Sequence, residues 1–182
     1  MELQKALKER RTLHKYEKKI VSKNIIYKAI NAANLAPCHF KTFPWRFTII
    51  GKSKRKQIAE LVITESQVLD SEKNDFRNKT HDKFLSPSHL LIFSQIKNGN
   101  EINKKEDYAA CACALQNLSL SLIEDNVYSK WSTHKIIYNK SLYQICCIDS
   151  LKEEIIGLIY IGYGNLFPAI NRPSINDVLR EI

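Results

Sequence analysis

The sequence LAPCHFKTFPWRFTII, Leu35 to Ile50, decides the fold because it joins a predicted helix to a predicted strand. Upstream, apolar residues recur at helical spacing from Ile25 to Ala33, and Ser22 is a suitable N-cap. Pro37 disfavours helical geometry at Ala36, so we expect the helix to run from about Ser22 to Ala36. A short loop must then lead into the strand.

Beyond the proline, side chains alternate as in a strand with one face more deeply buried than the other. Trp45, Phe47 and Ile49 form one row, and a glycine ends the pattern. Trp45 is predicted to anchor this strand. The intervening loop holds His39 and Cys38, whose thiol we interpret as unreactive because no base is nearby. Short tethered loops of this kind often carry functional residues.

Length and composition bound the class of protein. The chain has 182 residues, of which 44% are apolar and 26% charged, enough for one substantial core and a single domain, residues 1–182. No apolar segment reaches membrane-spanning length, and the polar, basic N-terminus lacks the apolar core of a signal peptide. We therefore expect a cytosolic protein with no membrane partner.

Five cysteines occur in the chain, and none forms a C-x-x-C motif. An odd number with this spacing indicates reduced thiols. Cys111 and Cys113 are the best candidates for a metal site, but a spacing of two on a helix points their side chains apart. Small buried apolar side chains are the favoured interpretation, and no metal is expected.

A formal net charge of +9 raises the question of nucleic acid, since clustered lysine and arginine release counterions from a phosphate backbone. Here the cations are scattered, aromatic residues do not interleave with them, and no helix-turn-helix or zinc-finger spacing occurs. A small anionic ligand beside solvated basic faces is favoured. A basic nucleic-acid-binding module without enzymatic activity stays the alternative from another class.

Other segments also show helical and strand patterns. We predict a first helix that ends near Arg10 and Arg11, a helix at about Ser53 to Leu69, strands that begin near Pro87 and Glu153, and a short final helix capped by Ser174. The polar stretch Asp70 to Lys83 is predicted to cover the core without building it.

The segment Glu106 to Asn126 predicts a long helix that is apolar around most of its circumference. Its broadest face would hold Ala109, Ala110, Cys113 and Ala114, with leucines further along. A domain of this size has too little material to cover such a helix on all sides. A second copy of the chain is expected to cover the rest, which predicts a homodimer.

The sequence lacks the glycine-rich phosphate loops G-x-G-x-x-G and G-x-x-x-x-G-K-[ST], and it lacks H-E-x-x-H. Arg10, Arg11 and Thr12 stand together at the end of the first helix. Two guanidinium groups and a hydroxyl can grip a phosphate, although cations also favour a helix C-terminus for dipole reasons alone. By themselves these residues leave both interpretations open.

Six motifs occur in order along the chain: Arg10-Arg11-Thr12, Ala36-Pro37, Pro44-Trp45-Arg46-Phe47, Gln116-Asn117, Trp131, and the strand Gly157 to Tyr163. Each is weak alone. In this order and spacing they resemble the flavin-dependent nitroreductase family, above all its compact single-domain members. The resemblance covers about Arg10 to Arg172.

The resemblance implies an α+β, three-layer domain with a central, mostly antiparallel sheet flanked by helices, working as a homodimer. It implies FMN as cofactor and NAD(P)H as co-substrate, with an electron-poor acceptor such as a nitroaromatic or a quinone. No catalytic side chain is expected, because the flavin carries the hydride. An FMN protein of the same fold with another acceptor, or with a flavin-consuming reaction, stays open as an alternative.

The resemblance also implies a set of cofactor-binding residues: Arg10, Arg11, Thr12, Leu35, His39, Trp131, Ser132, Thr133 and Arg172. The arginines and Thr12 would hold the phosphate and ribityl chain. Leu35 and His39 would touch the isoalloxazine from the partner subunit.

One departure from the family pattern lies in the sequence DNVYSKW, Asp125 to Trp131, where family members usually have glycines. Asn126 is able to take a glycine's left-handed conformation, whereas Val127 and Tyr128 are not. The pocket is therefore expected to differ in shape from those of relatives, which affects the substrate more than the cofactor.

Overall fold

The computed structural model of the protein describes residues 2–165, 167 and 169–182, with the side chain of Asp70 left aside. The elements in chain order are α1 (Leu3–Glu9), α2 (Lys23–Ala33), β1 (Trp45–Ile49), α3 (Lys52–Thr64), α4 (Lys73–Leu85), β2 (His89–Ile96), α5 (Glu101–Ile123), β3 (Tyr128–Ser132), α6 (Lys140–Cys146), β4 (Glu153–Gly162) and α7 (Ile175–Val178). Among these residues, no helix combines the length and the apolar character that a membrane span requires.

The four strands form one sheet in the order β1-β2-β4-β3, and every neighbouring pair is antiparallel. On one face, α2 and α5 pack around Leu91 and Phe93. On the other, α3, α4 and α6 pack around Ile92, Leu158 and Tyr160. The predicted α+β fold, with an antiparallel sheet between two helical layers, is confirmed.

The stretch from α2 to β1 follows its prediction closely. Ser22 caps α2 by accepting a hydrogen bond from the backbone N–H of Asn24 at 3.2 Å. α2 ends at Ala33, slightly earlier than expected, and the next residue, Asn34, uses its side-chain oxygen to accept a 2.8 Å hydrogen bond from the indole of Trp45. Trp45 is buried and anchors β1, as predicted.

The polar stretch Asp70 to Lys83 mostly covers the core, as predicted, and Thr80 is the one buried residue among those described there. Most of the stretch is helical, and α4 continues to Phe84, just beyond it, which is fully buried. The apolar residues of α4 are too few to show a helical period, so tertiary contacts fix it. One such contact is the guanidinium of Arg77, which donates to both carboxylate oxygens of Glu60 on α3 at 2.8 and 2.9 Å.

The turn between α5 and β3 contains Asn126, whose φ of 54° is left-handed. The predicted left-handed conformation of this asparagine is confirmed. Val127 follows with its side chain fully buried and its N–H bonded to the carbonyl of Leu122 at 3.0 Å. The turn leads into β3, a strand that the sequence patterns do not predict.

The helix α5 begins at Glu101, five residues before the predicted start, and Asn100 caps it. The prediction of which residues form the broad apolar face of α5 was partly wrong. Cys111 and Leu115 are buried, while Ala109 and Cys113 are exposed. The sheet and α2 cover one side of α5, and a strip of small side chains on the other side stays uncovered within one chain.

A β-bulge in β4 shapes the centre of the sheet. Phe93 of β2 pairs with Gly157 and the next residue, Ser94, pairs with Ile155, so Ile156 is the extra residue. The indole of Trp131 on β3 lies directly over Gly157 and donates to the carbonyl of Ile156 at 3.2 Å. A Cβ at Gly157 would lie 2.0 Å from the indole nitrogen, so only glycine fits beneath this ring.

We predict that Gly157→Ala lowers the free energy of unfolding by about 1–3 kcal/mol, because the methyl group must displace Trp131 and its hydrogen bond. Gly99→Ala is the matched control, since no atom lies within 4 Å of a Cβ there; its effect should stay below about 0.5 kcal/mol. Denaturant unfolding followed by tryptophan fluorescence measures both. Equal midpoints for the two variants would show that the ring can move aside at no cost.

Candidate functional site

A cavity of about 510 Å³ lies where the end of α1, the middle of α5 and the C-terminal tail meet. Three guanidinium groups line it, from Arg10, Arg11 and Arg172, together with Leu7, Lys8, Gln116 and Ile170. We call it the arginine cavity. The tail therefore brings its arginine to the pair at the end of α1.

No carboxylate is among the residues that line the arginine cavity. Partial burial lowers the pKa of the Arg10 guanidinium, and the positive charges of Arg172 and Arg11 lower it further. Arg10 and Arg172 also form no ion pair with any described residue. Like charges gathered without a counter-charge raise the energy of the site, and an anion in the cavity would relieve this repulsion.

Arg10 and Arg11 differ in what they do within the chain. The guanidinium of Arg11 donates to the carbonyl of Lys8 at 2.8 Å and to that of Arg10 at 3.3 Å, which satisfies acceptors at the end of α1. Arg11 therefore fits the helix-end interpretation in part. The Arg10 side chain makes no such bond within the described chain, which leaves it available to a ligand.

A second cavity, of about 290 Å³, adjoins the first and shares Arg10 and Gln116 with it. Three hydroxyl groups line it, from Thr12, Ser119 and Ser129. Thr12 and Ser129 are held opposite each other by an isolated β-bridge, and Ser129 donates to Ser119 at 3.0 Å. We call this cavity the hydroxyl groove. The side chain of Trp131 also lines it.

A third cavity, of about 310 Å³, lies further along α5 toward its N-terminus. It is lined by Gln95, Tyr108, Thr133, Tyr138, Glu154 and neighbouring residues, and we call it the Gln95 pocket. Tyr108 and Trp131 have ring centroids 6.3 Å apart, so these rings separate the Gln95 pocket from the hydroxyl groove. Ser132 lines none of the three cavities.

The two residues expected to act on a partner's flavin lie away from the arginine cavity. Leu35 has 82% of its surface exposed at the end of α2. His39 begins the turn His39–Lys41, with its Nδ1 3.0 Å from Oε2 of Glu106 on α5. Within one chain, neither residue lines the arginine cavity or the hydroxyl groove.

The loop that carries His39 is fixed to α5 by polar contacts. The hydroxyl of Thr42 donates to the buried carboxylate of Asp107 at 2.5 Å. Three residues of the loop have left-handed backbone geometry without being glycine, namely Phe40, Lys41 and Phe43. Such geometry is costly and is concentrated at functional sites.

Sequence reasoning did not single out Asp107, Tyr108 or Gln95. A buried aspartate inside an apolar helix was the one signal available for Asp107, because such a residue needs a polar partner. Tyr108 and Gln95 meet only through the pairing of distant segments. No short motif encodes that pairing.

The cysteines do not form a metal site. Burial raises the pKa of the Cys111 thiol to about 12, with the charge of Asp107 adding to the effect, so this thiol stays protonated. Cys113 lies exposed on another side of α5. Among the described residues, no three potential ligands gather in one place.

The fold and these cavities define an α+β protein with a row of cavities along one helix, one of which is lined by three arginines. The chain belongs to the nitroreductase family, whose model matches residues 7–163.

The similarity to known proteins extends over nearly the whole chain. YfhC of Bacillus subtilis (strain 168), which bears the name of an NAD(P)H nitroreductase, is 27% identical over 186 residues, 99% of this chain and 94% of YfhC. A nitroreductase-like family protein from Bacillus cereus has a crystal structure with a TM-score of 0.85 and 25% identity, covering 100% of this chain and 96% of that one.

A more distant structure shows the same fold. It is the FMN-dependent nitroreductase NfnB from Mycobacterium smegmatis, solved in complex with NADPH. Its TM-score is 0.77 at 14% identity, and the match covers 98% of this chain and 97% of that one.

Proposed function

We propose that this protein is an FMN-dependent oxidoreductase that uses NAD(P)H to reduce an electron-poor acceptor such as a nitroaromatic or a quinone. The observation that carries the proposal is the arginine cavity, which has three guanidinium groups and no carboxylate. Family membership and the NAD(P)H nitroreductase name of YfhC support it. The functional unit is the single domain, residues 1–182.

The residues that line the cavities suit the three parts of FMN in turn: the phosphate, the ribityl chain and the ring. Arg10 and Arg172 would hold the phosphate dianion, with Arg11 adding charge from the helix end. Thr12 would bond the ribityl chain in the hydroxyl groove, where hydroxyl donors and acceptors suit its oxygens. The ring would then lie toward Trp131, Ser132 and Thr133.

When bound, FMN supplies the two-electron chemistry, and the chain binds and orients both substrates. For a nitro compound, one NAD(P)H and one proton yield a nitroso group, NAD(P)⁺ and water. No side chain of the chain is required as an acid. The proton that balances the reaction can come from solvent through the open cavities.

The working unit is proposed to be a homodimer, in which Leu35 and His39 reach the other subunit's flavin. The loop around these residues is anchored to α5 yet presents Phe40, 68% exposed, to solvent. The C-terminal tail is also exposed along residues 169–182, including Ile175 and Val178 of α7. Apolar surface of this extent is typical of an interface. The five free cysteines fit a reducing compartment, and we place the dimer in the cytosol.

Protein purified under native conditions should be yellow and should release FMN, not FAD, on denaturation. The arginine cavity fits one terminal phosphate, and the chain lacks a dinucleotide fingerprint. Chromatography of the released flavin identifies it. Recovery of FAD, or no binding of added FMN at micromolar concentration, would refute the proposed cofactor; a colourless protein that binds nucleic acid would favour the basic binding module.

Arg10→Ala should weaken FMN binding by about ten- to a hundredfold, since a hydrogen bond to a charged group contributes about 1.5 to 3 kcal/mol. Arg11→Ala should have a smaller effect, because that guanidinium already bonds carbonyls of α1. Arg77→Ala, on the far side of the molecule in an ion pair with Glu60, is the control. Flavin fluorescence titration measures all three. Equal affinities for Arg10→Ala and Arg77→Ala would leave only a helix-end role for Arg10.

Leu35→Asp should weaken dimerisation at least tenfold, because two leucines per dimer lose apolar burial of about 1.5 to 3 kcal/mol each. Leu151→Asp changes an equally exposed leucine in the turn before β4 and should leave the dimer intact. Light scattering over a dilution series, with flavin fluorescence in parallel, measures both. A folded wild-type monomer that retains FMN would remove the interface and the proposed role of His39.

A further inference from the structure

The Gln95 pocket holds a buried polar side chain whose amide oxygen has no hydrogen-bond partner in the described part of the chain. Gln95 is only 1% exposed, and its amide oxygen accepts no hydrogen bond from any described residue. Buried polar atoms in native proteins are nearly always bonded, so one that faces a cavity points to a ligand. The ligand group that Gln95 lacks is an N–H or O–H donor.

A second acceptor lies beside the first. Glu154 on β4 is directly opposite Gln95 on β2 in the sheet register, and both line the pocket. Its Oε2 is buried and makes no hydrogen bond within the described chain, although Nζ of Lys104 is 3.4 Å away. Two neighbouring acceptor oxygens suit a group with two N–H bonds, which is an amide or an amine.

The charge of the lining decides between these two groups. Two carboxylates, Glu101 and Glu154, are matched by two lysines, Lys104 and Lys105. A cationic amine would meet both lysines, and Glu154 is already neutralised by Lys104. The pocket is therefore suited to a neutral donor, which is a primary carboxamide.

The shape of the pocket indicates which kind of molecule would carry the carboxamide. Tyr108 and Tyr138 supply aromatic walls, and Ile137 and Ile156 supply apolar floor. A volume of about 310 Å³ is near the lower end for small-molecule sites. This space suits one flat ring with a substituent, whereas a whole dinucleotide would not fit.

We propose that the Gln95 pocket binds the primary carboxamide of a flat aromatic ring, with Gln95 and Glu154 accepting its two N–H groups. Gln95 is then a specificity residue for the substrate. The proposal rests on the proposed function, because the ring must come from one of the two substrates. It is either the nicotinamide of NAD(P)H or an acceptor that itself carries a carboxamide.

The acceptor is tested with the flavin-loaded protein and two compounds, 4-nitrobenzamide and methyl 4-nitrobenzoate, in which a methoxy group without a donor replaces the amide NH₂. If the acceptor occupies the pocket, kcat/KM for the amide should exceed that for the ester about tenfold. Gln95→Met keeps the length of the side chain and removes the amide, so this ratio should fall to near one.

The reductant is tested by the anaerobic rate of flavin reduction with NADH and with reduced 3-acetylpyridine adenine dinucleotide, in which a methyl group replaces the amide NH₂. The two differ in reducing power, so the measured quantity is the change in their rate ratio between wild type and Gln95→Met. If nicotinamide occupies the pocket, the preference for NADH should fall about tenfold in the variant.

Ser94→Ala is the matched control, because Ser94 is buried next to Gln95 in sequence but faces Glu153 on the other side of the sheet. It should change neither ratio. Calorimetry with benzamide and methyl benzoate on the wild-type holoprotein gives a second measurement that needs no turnover and no variant, and benzamide should bind about tenfold tighter.

The outcomes separate the two proposals. A fall in the amide-to-ester ratio supports binding of the acceptor's carboxamide in the pocket. A fall in the ratio of NADH to its acetylpyridine analogue supports binding of the nicotinamide. Unchanged ratios and equal binding of benzamide and methyl benzoate overturn the pocket while the oxidoreductase function stands. If no acceptor is reduced, the proposed function fails. In that case, or if Gln95→Met does not fold, the calorimetric comparison of benzamide with methyl benzoate tests carboxamide binding by itself.

Discussion

Burial of one face of α5 against the sheet determines where every candidate site lies. Gln116 borders the arginine cavity and the hydroxyl groove, while Tyr108 borders the Gln95 pocket. At 1.5 Å of rise per residue these two positions are about 12 Å apart along the helix. The cavities therefore form a row whose spacing is that of a rigid helix. A ligand with a phosphate at one end and a ring at the other matches such a row better than a compact ligand does.

The two ends of this row of cavities differ in the groups that lack a partner among the described residues: cations at one end and hydrogen-bond acceptors at the other. At one end, Arg10 and Arg172 concentrate positive charge without a carboxylate. At the other, Gln95 and Glu154 present buried acceptor oxygens that accept no hydrogen bond from any described residue. Both arrangements cost stability in the free protein and are relieved when a complementary group binds. Arg77, by contrast, has an ordinary carboxylate partner in Glu60.

Sequence predicted the parts of the fold that depend on local chemistry. Ser22 as a cap, Asn126 in a left-handed turn and Ser174 at the final helix follow from the residues themselves. The helix α4 and strand β3 did not follow, because tertiary contacts hold them. The same division applies to the sites: the arginines form a motif, whereas Gln95 meets Glu154 only through strand register and a bulge. Side-chain pairs set by register leave no periodic trace in one sequence.

The loop after α2 shows why folding and association should be linked. Three of its non-glycine residues have left-handed geometry, at a cost of about 1–2 kcal/mol each. Thr42 offsets part of this cost through its bond to Asp107, and the indole of Trp45 fixes the loop's origin at Asn34. Even so, Phe40 on this costly backbone stays exposed, as does Leu35 just after α2. A strained loop that presents apolar side chains to water gains stability when a second surface covers them. In the proposed homodimer, that second surface would belong to the partner subunit.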